Sequence, residues 1–140
     1  MSIWNRSISL YRLTHSLRLI STSIPSTSRL VPNGDLILTK TAKERLKNIL
    51  SDKDILRIEV EGGGCAGFEY KIRLDNNIAD DDLVIQDEGR NVLVVDEMSL
   101  GYIKGSTVDY VEELMRASFR VLANPLADKG CSCGSSFALK

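Results

Sequence analysis

The chain has 140 residues, the length of one domain, and its 43% hydrophobic and 26% charged residues are ordinary for a globular protein. Its apolar runs, such as residues 92–95, are too short to cross a bilayer, which argues against a membrane-embedded protein. Residues 35–140 carry 14 basic and 19 acidic side chains, a net charge of −5. That balance argues against nucleic-acid binding, because neutralising phosphates requires clustered Lys and Arg.

The first 34 residues differ in composition from the rest of the chain. They contain four arginines (Arg6, Arg12, Arg18 and Arg29), many Ser and Thr, and no acidic residue. This composition is typical of a mitochondrial transit peptide, although the first three arginines would spread around a helix rather than share one face. The alternative is an N-terminal tail without a targeting role. We therefore predict a transit peptide and linker over residues 1–34, and one domain over residues 35–140.

The first predicted element of that domain is an amphipathic helix. Residues 41–44 (Thr-Ala-Lys-Glu) form a capping-box pattern with Thr41 as the N-cap. Apolar residues then recur at helical spacing, and the helix is expected to end near Ser51 and Asp52. The apolar positions are Ala42, Leu46, Ile49 and Leu50.

Two half-buried strands follow, at residues 55–61 and 68–74, because apolar and charged residues alternate in both. In the first, Leu56, Ile58 and Val60 are expected to face inward, and Arg57 and the two glutamates outward. In the second, the inward residues are Phe68, Tyr70, Ile72 and Leu74. The strands are predicted to be antiparallel neighbours, which places Cys65 in a glycine-rich loop at one end of the pair.

The remaining elements are short. A second strand pair is predicted at residues 83–86 and 91–95, a helical turn at 96–103, a strand at 106–110 and the last strand at 118–122. The acidic runs 80–82 and 112–113 are interpreted as solvated surface. The predicted fold class is mainly β with a few short helices (α+β). We expect a compact sandwich or flattened barrel with a mobile C-terminal cysteine tail, which Phe137 would dock onto the domain.

The three cysteines point to metal chemistry rather than to disulfides. An odd and low number argues against a secreted disulfide scaffold and indicates a reducing compartment. The only histidine, His15, lies in the predicted transit peptide, so the processed protein would lack an imidazole for general-base or Cys–His catalysis or for a Cys/His zinc site. Cys131 and Cys133 are separated by one residue in a segment rich in Gly and Ser. We expect the fold to bring Cys65 beside them, so that three thiolates bind one metal centre.

Several readings of these thiols remain open. Soft ligands select zinc, Cu(I) or an iron–sulphur cluster, and three thiolates are one fewer than a closed site needs. Two chains together would supply six, and an under-ligated site suits a centre that is passed on. The alternatives are inert buried cysteines, a zinc- or iron-binding structural or storage protein, and a thiol-redox enzyme with a strained Cys131–Cys133 disulfide.

Three segments resemble the A-type iron–sulphur carriers, the IscA/HesB-like family. Residues 61–70 (Glu-Gly-Gly-Gly-Cys-Ala-Gly-Phe-Glu-Tyr) are similar to the first cysteine motif of that family, and residues 100–110 to its middle segment. The chain from Phe119 through Cys131-Ser132-Cys133-Gly134-Ser135-Ser136-Phe137 resembles the C-terminal motif. Most members have Gly where this chain has Ser132, and Ser there resembles the mitochondrial branch.

The resemblance implies a β-rich carrier, not an enzyme, in the mitochondrial matrix. It implies that Cys65, Cys131 and Cys133 bind a [2Fe–2S] or [4Fe–4S] cluster in a homodimer or in a heterodimer with a sister A-type carrier. It further implies a monothiol glutaredoxin as donor, a folate-enzyme-like assembly factor and recipient [4Fe–4S] apoproteins, with no nucleic acid and no membrane among the partners.

Overall fold

The computed structural model describes residues 29–32, 34–130 and 134–140, which form two β-sheets and two short helices. The predicted fold class, mainly β with a few short helices, is confirmed. Within the described residues, no helix is long and apolar enough to span a membrane. The elements are β1 (Arg29–Leu30), β2 (Leu36–Leu38), α1 (Lys40–Ile49), β3 (Ile55–Gly63), β4 (Gly67–Asp75), β5 (Asp82–Asp87), β6 (Arg90–Asp96), α2 (Glu97–Ile103), β7 (Ser106–Glu113), β8 (Arg116–Leu122), β9 (Ala127–Gly130) and β10 (Ser136–Leu139).

Local hairpins form the centre of each sheet, and long-range pairings extend it. The larger sheet has the order β1-β5-β6-β3-β4-β10-β9, and the smaller has the order β2-β7-β8. The predicted antiparallel pairs β3–β4 and β5–β6 are both present. The β5–β6 turn has Glu88 and Gly89 at φ of 52° and 80°, the backbone that a two-residue hairpin requires. Parallel pairings join β1 to β5, β3 to β6 and β2 to β7.

Both sheets and both helices contribute to one main hydrophobic core. Each fully buried Leu, Ile or Val side chain stabilises the fold by about 1.5–3 kcal/mol. The alternation read from residues 55–61 places Leu56 and Ile58 of β3 in this core. Members that are fully buried include Leu46, Ile58, Leu93, Ile103 and Val108.

Helix α1 begins two residues earlier than the capping-box pattern predicts. Thr39 is the N-cap, and its hydroxyl oxygen accepts a hydrogen bond from the backbone N–H of Ala42 at 3.1 Å. Thr39 also donates its own N–H to the carbonyl of Val108, because β2 pairs with β7 up to the preceding residue. The prediction of Thr41 as N-cap is wrong, since the end of this sheet pairing sets the start of the helix. The helix ends at Ile49, close to the predicted position.

Arg57, which was expected to face outward on β3, is buried in the structure. Arg57 is only 7% exposed, and its Nε donates to Asp75 at 2.7 Å. Its two terminal nitrogens donate to the two carboxylate oxygens of Asp82 at 3.0 and 2.8 Å, and one of them also donates to the carbonyl of Asn77. Asp82 is 2% exposed, so the interpretation of residues 80–82 as solvated surface is wrong at that residue.

The physical reason is a second apolar cluster on the outer face of the larger sheet. Ile55, Val84 and Val94 pack together there, next to Arg57 and Asp82. Burial alone would raise the pKa of Asp82, but hydrogen bonds from Arg57 and from the N–H of Ala79 more than offset it and lower that pKa. Hydrogen bonds to Asp82 and Asp75 raise the pKa of Arg57, against the opposing effect of burial.

The chain forms two strands beyond the strand predicted to be the last one. β8 covers the predicted residues 118–122, but β9 and β10 follow it and extend the larger sheet beyond β4. These strands have four residues each, too few to show a clear alternation. Residues 136–139 are therefore part of the sheet. The mobility predicted for the tail falls partly on Cys131–Cys133, which lie outside the described residues.

Candidate functional site

Cys65 lies where the sequence predicts it, in the turn that closes the β3–β4 hairpin. Gly63 and Gly67 are the last paired residues, and the thiol of Cys65 is free and exposed between them. Gly64 has φ of +71°, in the left-handed region that favours glycine. A Cβ at Gly64 would lie 2.9 Å from the Cβ of Ser136, closer than side chains pack. The glycine therefore lets the Cys65 turn approach β10 directly.

Strand β10 starts three residues after Cys133 and runs beside the Cys65 hairpin. Ser136 is the register partner of Glu69, and Phe137 is the partner of Phe68. On its other side, Phe137 pairs with Gly130 of β9, the residue that precedes Cys131. The described neighbours of Cys131 and Cys133 on both sides thus lie close to the Cys65 hairpin. The two cysteines themselves lie outside the described residues.

Phe137 anchors β10, which confirms the docking role predicted for it. Its side chain is 1% exposed and stacks on Tyr70 with ring centroids 4.5 Å apart. Phe68 adds a second contact at 5.6 Å and in turn packs on Tyr102 at 5.1 Å. Aromatic pairs at such distances stabilise by about 0.5–1.5 kcal/mol beyond their buried area. The backbone is fixed as well, because Tyr70 donates its N–H to the carbonyl of Ser135 at 2.9 Å.

Asn124 connects this aromatic group to the segment that leads to the cysteines. Its side-chain nitrogen donates to the hydroxyl of Tyr70 and to the carbonyl of Tyr102, each at 3.0 Å, and its oxygen accepts from the N–H of Leu126. Burial raises the pKa of Tyr70, which the hydrogen bond from Asn124 partly offsets. This role of Asn124 was not predicted from the sequence. In the sequence Asn124 is an isolated Asn before a proline, and this pattern does not indicate which groups its side-chain amide will bond.

The site as described presents one exposed thiol, that of Cys65. The chain's only histidine, His15, lies outside the described residues. Glu61 of β3, four residues before Cys65, forms an ion pair with Lys71 of β4 at 2.8 Å. Among the described residues, no three His, Cys, Asp or Glu side chains converge as a metal site. The described residues therefore contain no complete ligand set for a metal centre at Cys65.

Similarity to known proteins covers the same part of the chain as this fold. The family model for iron–sulphur cluster biosynthesis matches residues 35–135. The mitochondrial iron–sulfur cluster assembly 2 homolog of Homo sapiens is 50% identical over 107 residues, which cover 76% of this chain and 69% of the relative. The iron–sulfur cluster insertion protein ErpA of Xylella fastidiosa is 43% identical over 108 residues, covering 74% and 83%.

Solved structures share the architecture. The crystal structure of IscA with the [2Fe–2S] cluster superposes with a TM-score of 0.62 at 30% identity, covering 75% of this chain and 97% of that one. The crystal structure of Escherichia coli SufA, involved in the biosynthesis of iron–sulfur clusters, gives 0.60 at 31% identity, covering 74% and 91%. The sequence and structure matches span most of the domain. The chain therefore belongs to the iron–sulphur cluster biosynthesis family.

Proposed function

We propose that this protein is an iron–sulphur cluster carrier, not an enzyme, which binds its cargo cluster through Cys65, Cys131 and Cys133. The observation that carries the proposal is the close approach of Gly64 to Ser136. It places the Cys65 turn beside the strand that starts three residues after Cys133. Because consecutive Cα atoms are 3.8 Å apart, Cys133 is one such step from the described residue Gly134. These contacts support the proposal that the second and third thiols join the first in one site.

The number of thiols supports a carrier rather than a permanent cofactor site. Iron–sulphur clusters normally take four cysteine ligands, and one chain offers three. A second chain, either an identical copy or a sister A-type carrier, would complete the ligand set. A cluster held between chains is released when the chains separate or exchange ligands with a recipient. IscA, with 30% identity, has been crystallised with a [2Fe–2S] cluster, which supports the same cargo here; a [4Fe–4S] cluster is the other form we propose.

We further propose that the protein works in the mitochondrial matrix, with a transit peptide removed by cleavage in the linker part of residues 1–34. The support is the Arg-rich, acid-free composition of that segment and the mitochondrial name of relatives that are 50% identical. The proposed donor is a monothiol glutaredoxin, and a folate-enzyme-like factor would assist delivery to recipient [4Fe–4S] apoproteins. Import of the full chain into isolated mitochondria tests this placement. A protease-protected product shortened by up to about 34 residues supports it, and failure to enter the organelle contradicts it.

The ligand set is tested by anaerobic reconstitution with iron and sulfide. We expect charge-transfer absorption in the visible range, lost or strongly reduced in Cys65→Ser, Cys131→Ser and Cys133→Ser. Ser132→Ala is the matched control, because it changes the same segment and leaves all three thiols. Undiminished absorption in all three cysteine variants would refute the assignment. Metal analysis of protein purified without oxygen separates the carrier, which contains sulfide in proportion to iron, from a structural protein with zinc and no sulfide.

A further inference from the structure

A groove lies between the two β-sheets. It lies between β4 of the larger sheet and β8 of the smaller one, and we call it the β4–β8 groove. Two cavities of about 270 and 300 Å³ follow each other along it and share Ile72, Ser118 and Phe119 as walls. One cavity reaches Gly134 and Ser135, and the other reaches Arg45 of α1. The groove therefore extends from α1 to the segment next to Cys133.

One wall of the groove is an edge of β8 that has no neighbouring strand among the described residues. β8 is the terminal strand of its sheet and pairs only with β7 among the described strands. Leu74 belongs to the inward-facing series of β4, yet it is 51% exposed, because β8 does not cover it. A strand edge offers backbone donors and acceptors in a row, which an extended peptide can pair with. The geometry suits a polypeptide segment better than a compact small molecule.

The charge of the groove is opposite to that of the domain. Four arginines line the two cavities, namely Arg45, Arg73, Arg116 and Arg120, and no Asp or Glu does. Residues 35–140 as a whole carry a net charge of −5. Two of the four arginines have partners, since Arg73 bonds Glu59 and Arg120 bonds Glu113. The groove thus concentrates positive charge on an acidic protein, which favours an anionic ligand.

Arg45 is the arginine of the groove with a buried nitrogen that no described residue bonds, and it also lines a separate cavity with Glu44 and Glu112. Its guanidinium lies over the ring of Tyr110, 4.9 Å from the centroid, and Nε is buried without a hydrogen-bond partner among the described residues. The ion pairs found between described residues do not include Arg45. Buried polar groups are almost always hydrogen-bonded, and a guanidinium matches a carboxylate with two parallel bonds. A ligand carboxylate at the α1 end of the groove would supply this partner.

We propose that the β4–β8 groove binds an extended acidic and apolar segment of a partner protein. Its backbone would pair with the free edge of β8, its apolar side chains would contact Ile72 and Leu74, and a carboxylate would bond Arg45. The segment would end beside Gly134, so a protein docked there would lie close to the proposed cluster ligands. Docking itself does not depend on cluster binding, so each proposal can fail without the other.

The test uses the metal-free full chain and a fluorescein-labelled octapeptide of alternating valine and glutamate. We expect saturable binding by fluorescence anisotropy, and about tenfold weaker binding to Arg45→Gln, the loss typical of a charge-assisted hydrogen bond. Lys40→Gln is the matched control, because it removes the same charge from the same helix outside the groove. It should bind within about twofold of the unmodified protein. Amide chemical shifts should change along β4 and β8.

A control peptide with lysine in place of glutamate distinguishes recognition of negative charge from non-specific binding. The proposal is overturned if the two peptides bind equally, if neither binds, or if Arg45→Gln and Lys40→Gln have the same affinity. It is also overturned if the shift changes map away from β4 and β8. Arg116→Gln, at an exposed position of the groove, provides a second variant should Arg45→Gln fail to fold, and the same weakening is expected for it. Cys65→Ser should leave peptide binding unchanged.

Discussion

Replacing Gly64 with alanine should disrupt the contact that brings the Cys65 turn to β10. Two separate costs arise. A non-glycine residue at φ of +71° costs about 1–2 kcal/mol. The new methyl group would lie 2.9 Å from the Cβ of Ser136, and overpacking of this kind costs about 1–3 kcal/mol. Together we expect a loss of about 2–5 kcal/mol in the free energy of unfolding, or about 8–20 °C in Tm for a domain of this size.

Gly62 provides the matched control, because it lies in the same hairpin and has free space around it. A Cβ at Gly62 would have no atom within 4 Å, and its φ is not in the left-handed region. Gly62→Ala should therefore be neutral or stabilising by up to about 1 kcal/mol, through the lower entropy of the unfolded chain. Urea unfolding followed by circular dichroism measures both variants.

Ser136→Gly separates the two costs of Gly64→Ala in a double-mutant cycle. Removing the Cβ of Ser136 relieves the close contact but not the strained φ, so the coupling should be about 1–3 kcal/mol. The double variant should also recover part of the cluster absorption that Gly64→Ala loses at a temperature where both remain folded. Equal urea midpoints for Gly64→Ala and Gly62→Ala would refute the reasoning, as would a coupling near zero.

Three further variants test other contacts, each by urea unfolding. Asp82→Asn leaves the buried Arg57 with one carboxylate fewer and should destabilise by about 3 kcal/mol near neutral pH. Since folding lowers the pKa of Asp82, its contribution is present above about pH 4 and is lost as the pH falls, so the deficit should shrink in acid; a deficit independent of pH would contradict this. Thr39→Ala should cost about 1 kcal/mol as loss of the N-cap, whereas Thr41→Ala should cost much less, and the reverse order would restore the capping-box interpretation. Phe137→Ala should cost about 3–5 kcal/mol and lower cluster uptake, and a cost below 1 kcal/mol would show that stacking does not anchor β10.

Features encoded within a few neighbouring residues could be predicted from the sequence. The alternation in 55–61 and 68–74 identified the β3–β4 hairpin, and the glycines around Cys65 identified its turn. Phe137 could be recognised as an anchor because it is an isolated aromatic residue in a segment rich in Gly and Ser, and such a side chain is expected to pack against the domain. In each case the determining interaction lies within one strand, one turn or one side chain.

Features set by distant partners could not be predicted in this way. Arg57 looks like an exposed residue of an alternating strand until β5 places Asp82 beside it. Thr39 and Thr41 are both plausible caps, and only the pairing of β2 with β7 decides between them. The short strand β10 depends on β4 for its hydrogen bonds, so its own sequence carries little signal.

The pairing of β10 with β4 also determines at which stage of folding the surroundings of Cys65 are complete. Phe137 meets Phe68 across almost half the length of the chain, and β2 must wait for β7 in the same way. Such non-local contacts form slowly, because the intervening chain must be closed into a loop first. During synthesis or import from the N-terminus, the surroundings of Cys65 stay incomplete until the last residues arrive. A partly emerged chain would present one thiol but not the proposed three-thiol site, so it would not load a cluster there before folding is finished.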